Sequence, residues 1–255
     1  MEKVLFESDS HKNILLEDFG HGEMVQANVH LIIDNGKGMI LDPGGHKVYK
    51  YLIAEIGRII GISHLEYIFL SHQDPDIVAA INGWLMTTKA KALSSKLWLR
   101  FIPHFGVDKF VIDRLIGIDD EGGIIKLGES DLYILPAHFM HSPGNLHVYD
   151  PTAKILYSGD LGASLGQNYQ IVENFEEHIK YMEGFHRRYI PTNKVLKAWV
   201  RMARQLDIET IAPQHGAILK GKEMVNKFLD WIENLECGID IMEDKYKIPQ
   251  NKLEI

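Results

Sequence analysis

Residues 67–76, YIFLSHQDPD, constrain the fold more than any other segment, because an apolar run leads directly into polar residues. The apolar run predicts a buried strand, and no loop-forming residues follow it. We therefore expect His72, Asp74 and Asp76 to leave the strand still extended, with their side chains on one side. Pro75 supports this, since a proline disfavours the helical region for the preceding residue. The alternative is a turn in which Asp76 caps the next helix.

Three further segments end a strand-like run with a residue that can bind a metal. LYILPAHFMHSPG offers His138 or His141, KILYSGD offers Asp160, and ETIAPQHG offers His215. For any one of these residues, a polar group in a loop is the simpler interpretation. Potential ligands at several strand ends are, however, what a site at the edge of a sheet requires. Together the segments predict a metal centre.

The order of predicted elements indicates an α/β fold. No repeat, low-complexity tract or linker divides the chain, so a single domain covering 1–255 is expected. Asn35-Gly36 predicts a tight hairpin turn. Alternating and helical spacings predict strands at 4–8, 26–34, 39–45, 64–70, 91–95, 123–128, 132–139, 146–150, 154–160 and 209–213, and helices at 47–60, 77–86, 174–189, 194–206 and 222–235. We expect layers of mixed sheet covered by helices.

Composition excludes several classes of function. The formal charge of −8 argues against nucleic acid as a main partner. The single cysteine, Cys237, excludes an intrachain disulfide, a four-cysteine zinc site and an all-cysteine iron–sulfur cluster within one chain. The N-terminal residues do not resemble a secretory signal, and no run of about 18 apolar residues occurs. We expect a cytoplasmic protein without a membrane segment.

The candidate ligands resemble those of a known family. Their order and approximate spacing are similar to the metallo-β-lactamase superfamily and, within it, to the β-lactamase-like domain of flavodiiron proteins. The pattern of that domain is His-x-Glu-x-Asp, then His, a bridging Asp and His. SHQDPD is most similar to the His-x-Asp-x-Asp version in stand-alone oxygen-binding diiron proteins associated with bacterial chemotaxis. The matching residues are His72, Asp74, Asp76, His141, Asp160 and His215.

This resemblance implies a fold and a ligand assignment. The fold is an αββα sandwich of the metallo-β-lactamase type, with two mixed sheets, outer helices and a metal pair at one edge. Metals in such pairs lie roughly 3.5–4 Å apart. Metal two would have only three protein ligands, which leaves positions open for O2 or NO. In the implied assignment, metal one takes His72, Asp74 and His141, metal two takes Asp76 and His215, and Asp160 bridges them.

Two departures from the family patterns bear on the metal. Hydrolytic members of the superfamily read His-x-His-x-Asp-His, whereas this chain has Asp74 for the second His and Ile77 for the last. The remaining three imidazoles and three carboxylates suit two iron ions or manganese better than zinc, although zinc stays possible. Flavodiiron proteins carry Glu at the position of Asp74, so the shorter side chain is expected to pull metal one or to tilt the carboxylate.

The resemblance also implies a function. The printed sequence ends at Ile255 without a flavodoxin-like domain, so we expect no FMN within this chain and no built-in reductant. We therefore favour an oxygen sensor that reports its state to a signalling or chemoreceptor partner. The alternatives are an oxygen or nitric oxide reductase served by an external electron donor and a dinuclear metal hydrolase. The oligomeric state, including a homodimer, stays open.

A few further residues have two interpretations. His138 and His147 either support the metal ligands or have ordinary surface and strand roles. The stretch 185–189, FHRRY, is typical of the oxygen-binding diiron relatives, and Tyr189 either reaches the pocket or packs on its helix. Asp42 follows a strand as in the superfamily, where this Asp supports the loops of the metal site.

Overall fold

The first sheet of the structure is mixed and has seven strands hydrogen-bonded in sequence order. The computed structural model describes residues 2–17 and 25–250. The strands are β1 (Glu2–Glu7), β2 (His11–Glu17), β3 (Asn28–Asp34), β4 (Lys37–Leu41), β5 (Leu65–Phe69), β6 (Lys91–Ser95) and β7 (Leu115–Ile118). Neighbours are antiparallel from β1 to β4 and parallel from β4 to β7.

The second sheet has six strands and is also mixed. Its strands are β8 (Gly123–Leu127), β9 (Ser130–Pro136), β10 (Leu146–Asp150), β11 (Ile155–Tyr157), β12 (Thr210–Ala212) and β13 (Leu219–Lys220). In space their order is β13-β12-β11-β10-β9-β8. Only β11 and β12 pair in parallel, and the other neighbours are antiparallel.

Helices cover the outer face of each sheet. They are α1 (His46–Ile59), α2 (Pro75–Val78), α3 (Ile81–Thr87), α4 (Phe175–Tyr189), α5 (Asn193–Ala203), α6 (Lys222–Glu233) and α7 (Ile239–Met242). Short 3-10 turns occur at Ile62–His64, Ile102–Phe105, Ile112–Arg114 and Glu243–Lys245. Buried side chains of α1 and α3 pack on the first sheet, and those of α4, α5 and α6 pack on the second. This four-layer αββα arrangement confirms the predicted fold class.

Successive side chains of each strand point to opposite faces of its sheet, so one strand contributes to two layers of the core. In β5, Ile68 joins the cluster beneath the helices of the first sheet, whereas Phe69 joins the cluster between the two sheets. In β10, Val148 lies between the sheets and Tyr149 packs toward the helices of the second sheet. Both faces of these two strands therefore contribute to the core.

The helix predicted at 77–86 is two short helices, α2 and α3, separated at Ala79 and Ala80. Ile77, Ile81 and Trp84 are fully buried across the break. Their spacing is helical in the sequence, so the periodicity predicted one element. Sequence patterns also missed β2, β7 and β13. Among the described helices, none has the length and apolarity that crossing a membrane requires.

Strand ends from both sheets meet at one edge of the sandwich. In the second sheet, β11 and β12 are parallel, and β10 runs against β11. The carboxyl ends of β11 and β12 therefore lie beside the loop that joins β9 to β10. The amide of Leu146 donates to the carbonyl of Ser71 at 2.9 Å, which brings the residues after β5 to the same edge. This edge carries all six candidate ligands.

Candidate metal centre

The segment after β5 turns sooner than its sequence predicts. Asp74 is extended, with φ −66° and ψ 148°, and it is the residue that precedes α2. Pro75 begins that helix, where its restricted φ fits and its missing N–H leaves no bond unmade. Asp76 lies in the first helical turn. The expected extended run therefore ends at Asp74, and Asp76 approaches the centre from a helix and does not act as its cap.

Four of the predicted ligands, His72, Asp74, His141 and Asp160, converge on one point, because one candidate ligand atom from each lies within 4.8 Å of the others. His141 Nε2 lies 3.1 Å from Asp160 Oδ2 and 3.3 Å from Asp74 Oδ2. His72 Nε2 lies 3.7 Å from Asp160 Oδ2 and 3.6 Å from Asp74 Oδ2. Two imidazoles and two carboxylates thus surround a space that suits one cation.

The remaining two predicted ligands form a second group on the other side of Asp160. His215 Nε2 lies 3.3 Å from Asp76 Oδ2 and 3.5 Å from Asp160 Oδ1. Asp160 therefore turns one oxygen toward each group. Its Oδ1 is buried and accepts no hydrogen bond from the described residues. A buried carboxylate oxygen without a donor is costly unless a cation compensates it, so this donor set fits a metal pair.

Hydrogen bonds on the far side of two imidazoles aim their Nε2 atoms into the centre. His215 Nδ1 donates to the backbone carbonyl of Gln26 at 2.7 Å. His72 Nδ1 lies 2.9 Å from the hydroxyl of Ser71. Such partners fix the tautomer and the orientation of a metal-binding histidine. Sequence patterns did not identify Ser71 or Gln26, although the position of Ser71 beside His72 was a usable signal.

Asp42 stabilises the loop that carries Ser71 and His72. Its carboxylate accepts the backbone N–H of Ser71 at 2.8 Å. Burial raises the pKa of Asp42 to about 6, against the opposing effects of the charge on His72 and the bonds from Ser71. This contact agrees with the loop-supporting role that the family resemblance implied for Asp42.

The imidazoles and carboxylates stabilise each other's charge in the metal-free protein. Burial lowers the pKa of His141, but its bonds to Asp160 and Asp74 outweigh burial and raise it to about 9. Burial also lowers the pKa of His215, but Asp76 and Asp160 outweigh burial and raise it to about 9. The pKa of Asp160 is lowered despite burial, chiefly by the charge on His72. Charge is therefore concentrated at this edge of the sandwich.

A cavity of about 590 Å³ lies over the candidate ligands. One wall is aromatic, because the rings of Phe185 and Tyr189 stack at a centroid distance of 4.8 Å and an angle of 19°. Both rings also form T-shaped contacts with the imidazole of His141, at centroid distances of 5.9 and 5.6 Å. Tyr189 is 57% exposed, so it lines the mouth of the cavity. The FHRRY stretch thus forms the end of helix α4, and its two aromatic side chains reach the pocket.

The other histidines named by the sequence lie outside the ligand set. His138 is half-buried, and its ring nitrogens contact backbone oxygens. His147 is buried and accepts a bond from the indole of Trp199 at 3.2 Å. His186 is also buried, and its Nε2 accepts the N–H of Gly162 at 2.9 Å. This last bond holds the turn that carries Asp160, a role that the sequence did not predict.

Comparisons with known proteins show the family and the fold of this chain. A family model described as ODP family beta lactamase matches residues 25–216. The structure is similar to the peroxy diiron species of chemotaxis sensor ODP, with 43% sequence identity and a TM-score of 0.87, over 96% of this chain and 99% of that chain. It is also similar to the apo state of chemotaxis sensor ODP from T. denticola, with 42% identity, a TM-score of 0.85 and the same two coverages of 96% and 99%.

A more distant similarity involves larger proteins. The anaerobic nitric oxide reductase flavorubredoxin of Klebsiella pneumoniae subsp. pneumoniae is 20% identical over 236 residues, which are 85% of this chain and 45% of that protein. This chain spans 34% to 53% of the length of the curated relatives that it matches.

Proposed function

This chain belongs to the ODP beta lactamase family, and from that premise we propose that it is a non-haem diiron protein that binds O2 and reports its redox state to a signalling partner. The observation that carries the proposal is the position of Asp160 between two groups of ligands. One of its oxygens faces His72 and His141, and the other faces His215. A single carboxylate placed in this way is suited to bridge two metals.

The residues of the centre would have separate roles in this function. His72, Asp74 and His141 would hold one iron, Asp76 and His215 would hold the other, and iron would supply the redox change. The ring nitrogens opposite the metal stay bonded to Ser71 and Gln26, which keeps His72 and His215 oriented. Phe185 and Tyr189 would shield one side of the centre from water.

The sensor part of the proposal is supported by the similarity to the chemotaxis sensor ODP, which extends over nearly the whole of both chains. The partner would be a signalling or chemoreceptor protein. A cytoplasmic location belongs to the same proposal, because a chain with a single cysteine suits a reducing compartment.

A second candidate function is the reduction of oxygen or nitric oxide with electrons from a separate donor. The similarity to a nitric oxide reductase flavorubredoxin favours it. A zinc or manganese hydrolase is a weaker candidate, because Ile77 takes the place of a histidine ligand and is buried under the helices of the first sheet.

Sustained gas consumption separates the two leading functions. Iron-loaded protein is mixed with O2 or NO and an excess of a chemical reductant, and the consumption of the gas is followed. A sensor reacts about once per centre and then consumes the gas no faster than the reductant alone. Continuous consumption above that background, absent in an Asp160→Asn variant, would identify a reductase instead.

A further inference from the structure

Gln73 connects the two loops that carry the candidate ligands of metal one. It follows His72, and its side-chain amide donates to Asp74 Oδ1 at 3.0 Å. Its amide oxygen accepts the hydroxyl of Ser142, the residue after His141. One half-buried side chain therefore spans from the loop after β5 to the loop before β10. Gln73 is not part of the family pattern of metal ligands.

The bond from Gln73 divides the two oxygens of Asp74. Oδ1 is held by the amide, whereas Oδ2 lies 3.3 Å from His141 Nε2 and 3.6 Å from His72 Nε2. A carboxylate restrained in this way presents one oxygen to the metal rather than two. The side chain of Asp74 is also one methylene shorter than glutamate, so its reach depends more strongly on where its backbone and its second oxygen are held.

Ser142 gives Gln73 a firm attachment point. It is 2% exposed, and its backbone N–H donates to the side chain of Asn145 at 3.0 Å. Asn145 in turn donates to the carbonyl of Met140 at 2.9 Å, and the carbonyl of Ser142 accepts the N–H of Phe139 at 2.7 Å. The loop that carries His141 is thus braced by its own bonds, and Gln73 joins the other loop to it.

From these contacts we infer that Gln73 is a positioning residue for metal one. It fixes Asp74 as a ligand through one oxygen, and through Ser142 it sets the separation of the loops that carry His72 and His141. The inference rests on the proposed metal pair. It adds that Gln73 arranges the site of metal one before the metal binds. By holding the second oxygen of Asp74, Gln73 also compensates for the shorter reach of this side chain.

Three variants separate the two bonds of Gln73. Gln73→Leu removes both, Ser142→Ala removes only the link between the loops, and Gln73→Glu keeps an acceptor for Ser142 but cannot donate to Asp74. Gln205→Leu is the matched control, because Gln205 is an exposed glutamine whose side chain donates to the backbone carbonyl of Arg201. Each metal-free protein is titrated with ferrous iron without air, and the two sites are followed by Mössbauer spectroscopy.

We expect Gln73→Leu and Gln73→Glu to bind one iron about 10–100-fold more weakly and the other as in the wild type. Hydrogen exchange of the metal-free proteins gives a second readout. The amides of Phe139 and Ser142 exchange faster in Gln73→Leu and Ser142→Ala, and at the wild-type rate in Gln73→Glu. The inference would be overturned if Gln73→Leu and Gln73→Glu bound both irons as tightly as the wild type does. Exchange rates equal to those of the wild type in every variant would also overturn it. If the wild type binds no iron pair, the proposed function fails, and the exchange pattern still decides whether Gln73 joins the loops.

Discussion

At the scale of single residues, Asp160 determines whether two metals can share this site. It is buried, and its two oxygens face different ligand groups, at 3.1 Å from His141 Nε2 on one side and 3.5 Å from His215 Nε2 on the other. The turn that carries it is held by His186. Neutralising this one carboxylate removes the bridging charge and leaves the other five candidate ligands in place.

We predict that Asp160→Asn binds about one iron per chain where the wild type binds about two, because a neutral amide cannot offer two anionic oxygens. Iron content after anaerobic loading and desalting measures this directly. Asp131→Asn, which changes an exposed carboxylate on β9, serves as the control and should bind as the wild type. Two tightly bound irons in Asp160→Asn would contradict the assignment of the bridge.

Ser71 is a second residue whose effect can be isolated. Its hydroxyl contacts His72 Nδ1 at 2.9 Å. Replacing Ser71 by Ala leaves this imidazole without its outer partner, so we predict a loss of iron affinity of about 10–100-fold. Competition with a coloured chelator measures the affinity, and the exposed Ser10→Ala is the control. An affinity equal to that of the wild type would show that the hydroxyl does not orient His72.

The sequence could predict the candidate ligands but not the residues that orient them. His72, Asp74, His141 and Asp160 each follow or flank a strand-like run, so a local pattern marks them. The contacts of Gln26 with His215 and of Gln73 with Ser142 join residues separated by 189 and 69 positions. No local pattern encodes such pairs, because they depend on which loops the sheets bring together.

At the scale of secondary structure, β2 joins the two sheets at the end of the sandwich opposite the candidate metals. His11 on this strand contacts Asp34 at 2.9 Å and Asp150 of the second sheet at 2.6 Å. Asn13 donates to the same Asp150 at 2.8 Å. The buried polar residues of β2 occupy positions where an apolar alternation is expected, which explains why the sequence pattern did not predict this strand.

This network makes the stability of the fold depend on pH. Burial lowers the pKa of His11, but its bonds to Asp150 and Asp34 outweigh burial and raise it above 6.5. The stabilisation by His11 is therefore complete below pH 6.5 and is lost as the pH rises through the higher pKa of the folded state. Burial raises the pKa of Asp34, but hydrogen bonds from the backbone of Glu129 and from other neighbours outweigh burial and lower it to about 2. Its contribution is lost only as the pH falls below about 4 toward 2.

We predict that His11→Gln lowers the free energy of unfolding by about 3–5 kcal/mol at pH 6, because it leaves buried carboxylates without a cation. The difference from the wild type should shrink between pH 6 and pH 9, because the imidazole of the wild type loses its proton as the pH rises through its raised pKa. Urea unfolding of the metal-free proteins at both pH values measures this, with the exposed His64→Gln as control. The same difference at pH 6 and pH 9 would show that the charge of His11 does not stabilise the fold.

At the scale of the whole molecule, the site depends on how two sheets place their strand ends. The parallel pair β11 and β12 directs Asp160 and His215 to one edge, and β10 runs against β11, so the loop of His141 reaches the same edge. Sequence patterns located most of these strands and indicated layers of mixed sheet, whereas the number of two sheets was implied by the family resemblance. They could not give the strand order, because pairing depends on contacts between distant segments rather than on local propensity.

The most direct test of a diiron oxygen-binding centre is metal analysis of the wild-type protein purified without air, followed by optical spectra before and after one addition of O2. We predict about two irons per chain and a new, long-lived visible absorption band after O2 is added. Bound zinc with no spectral change would contradict the proposed function, and it would show that a ligand set of three imidazoles and three carboxylates does not select iron here.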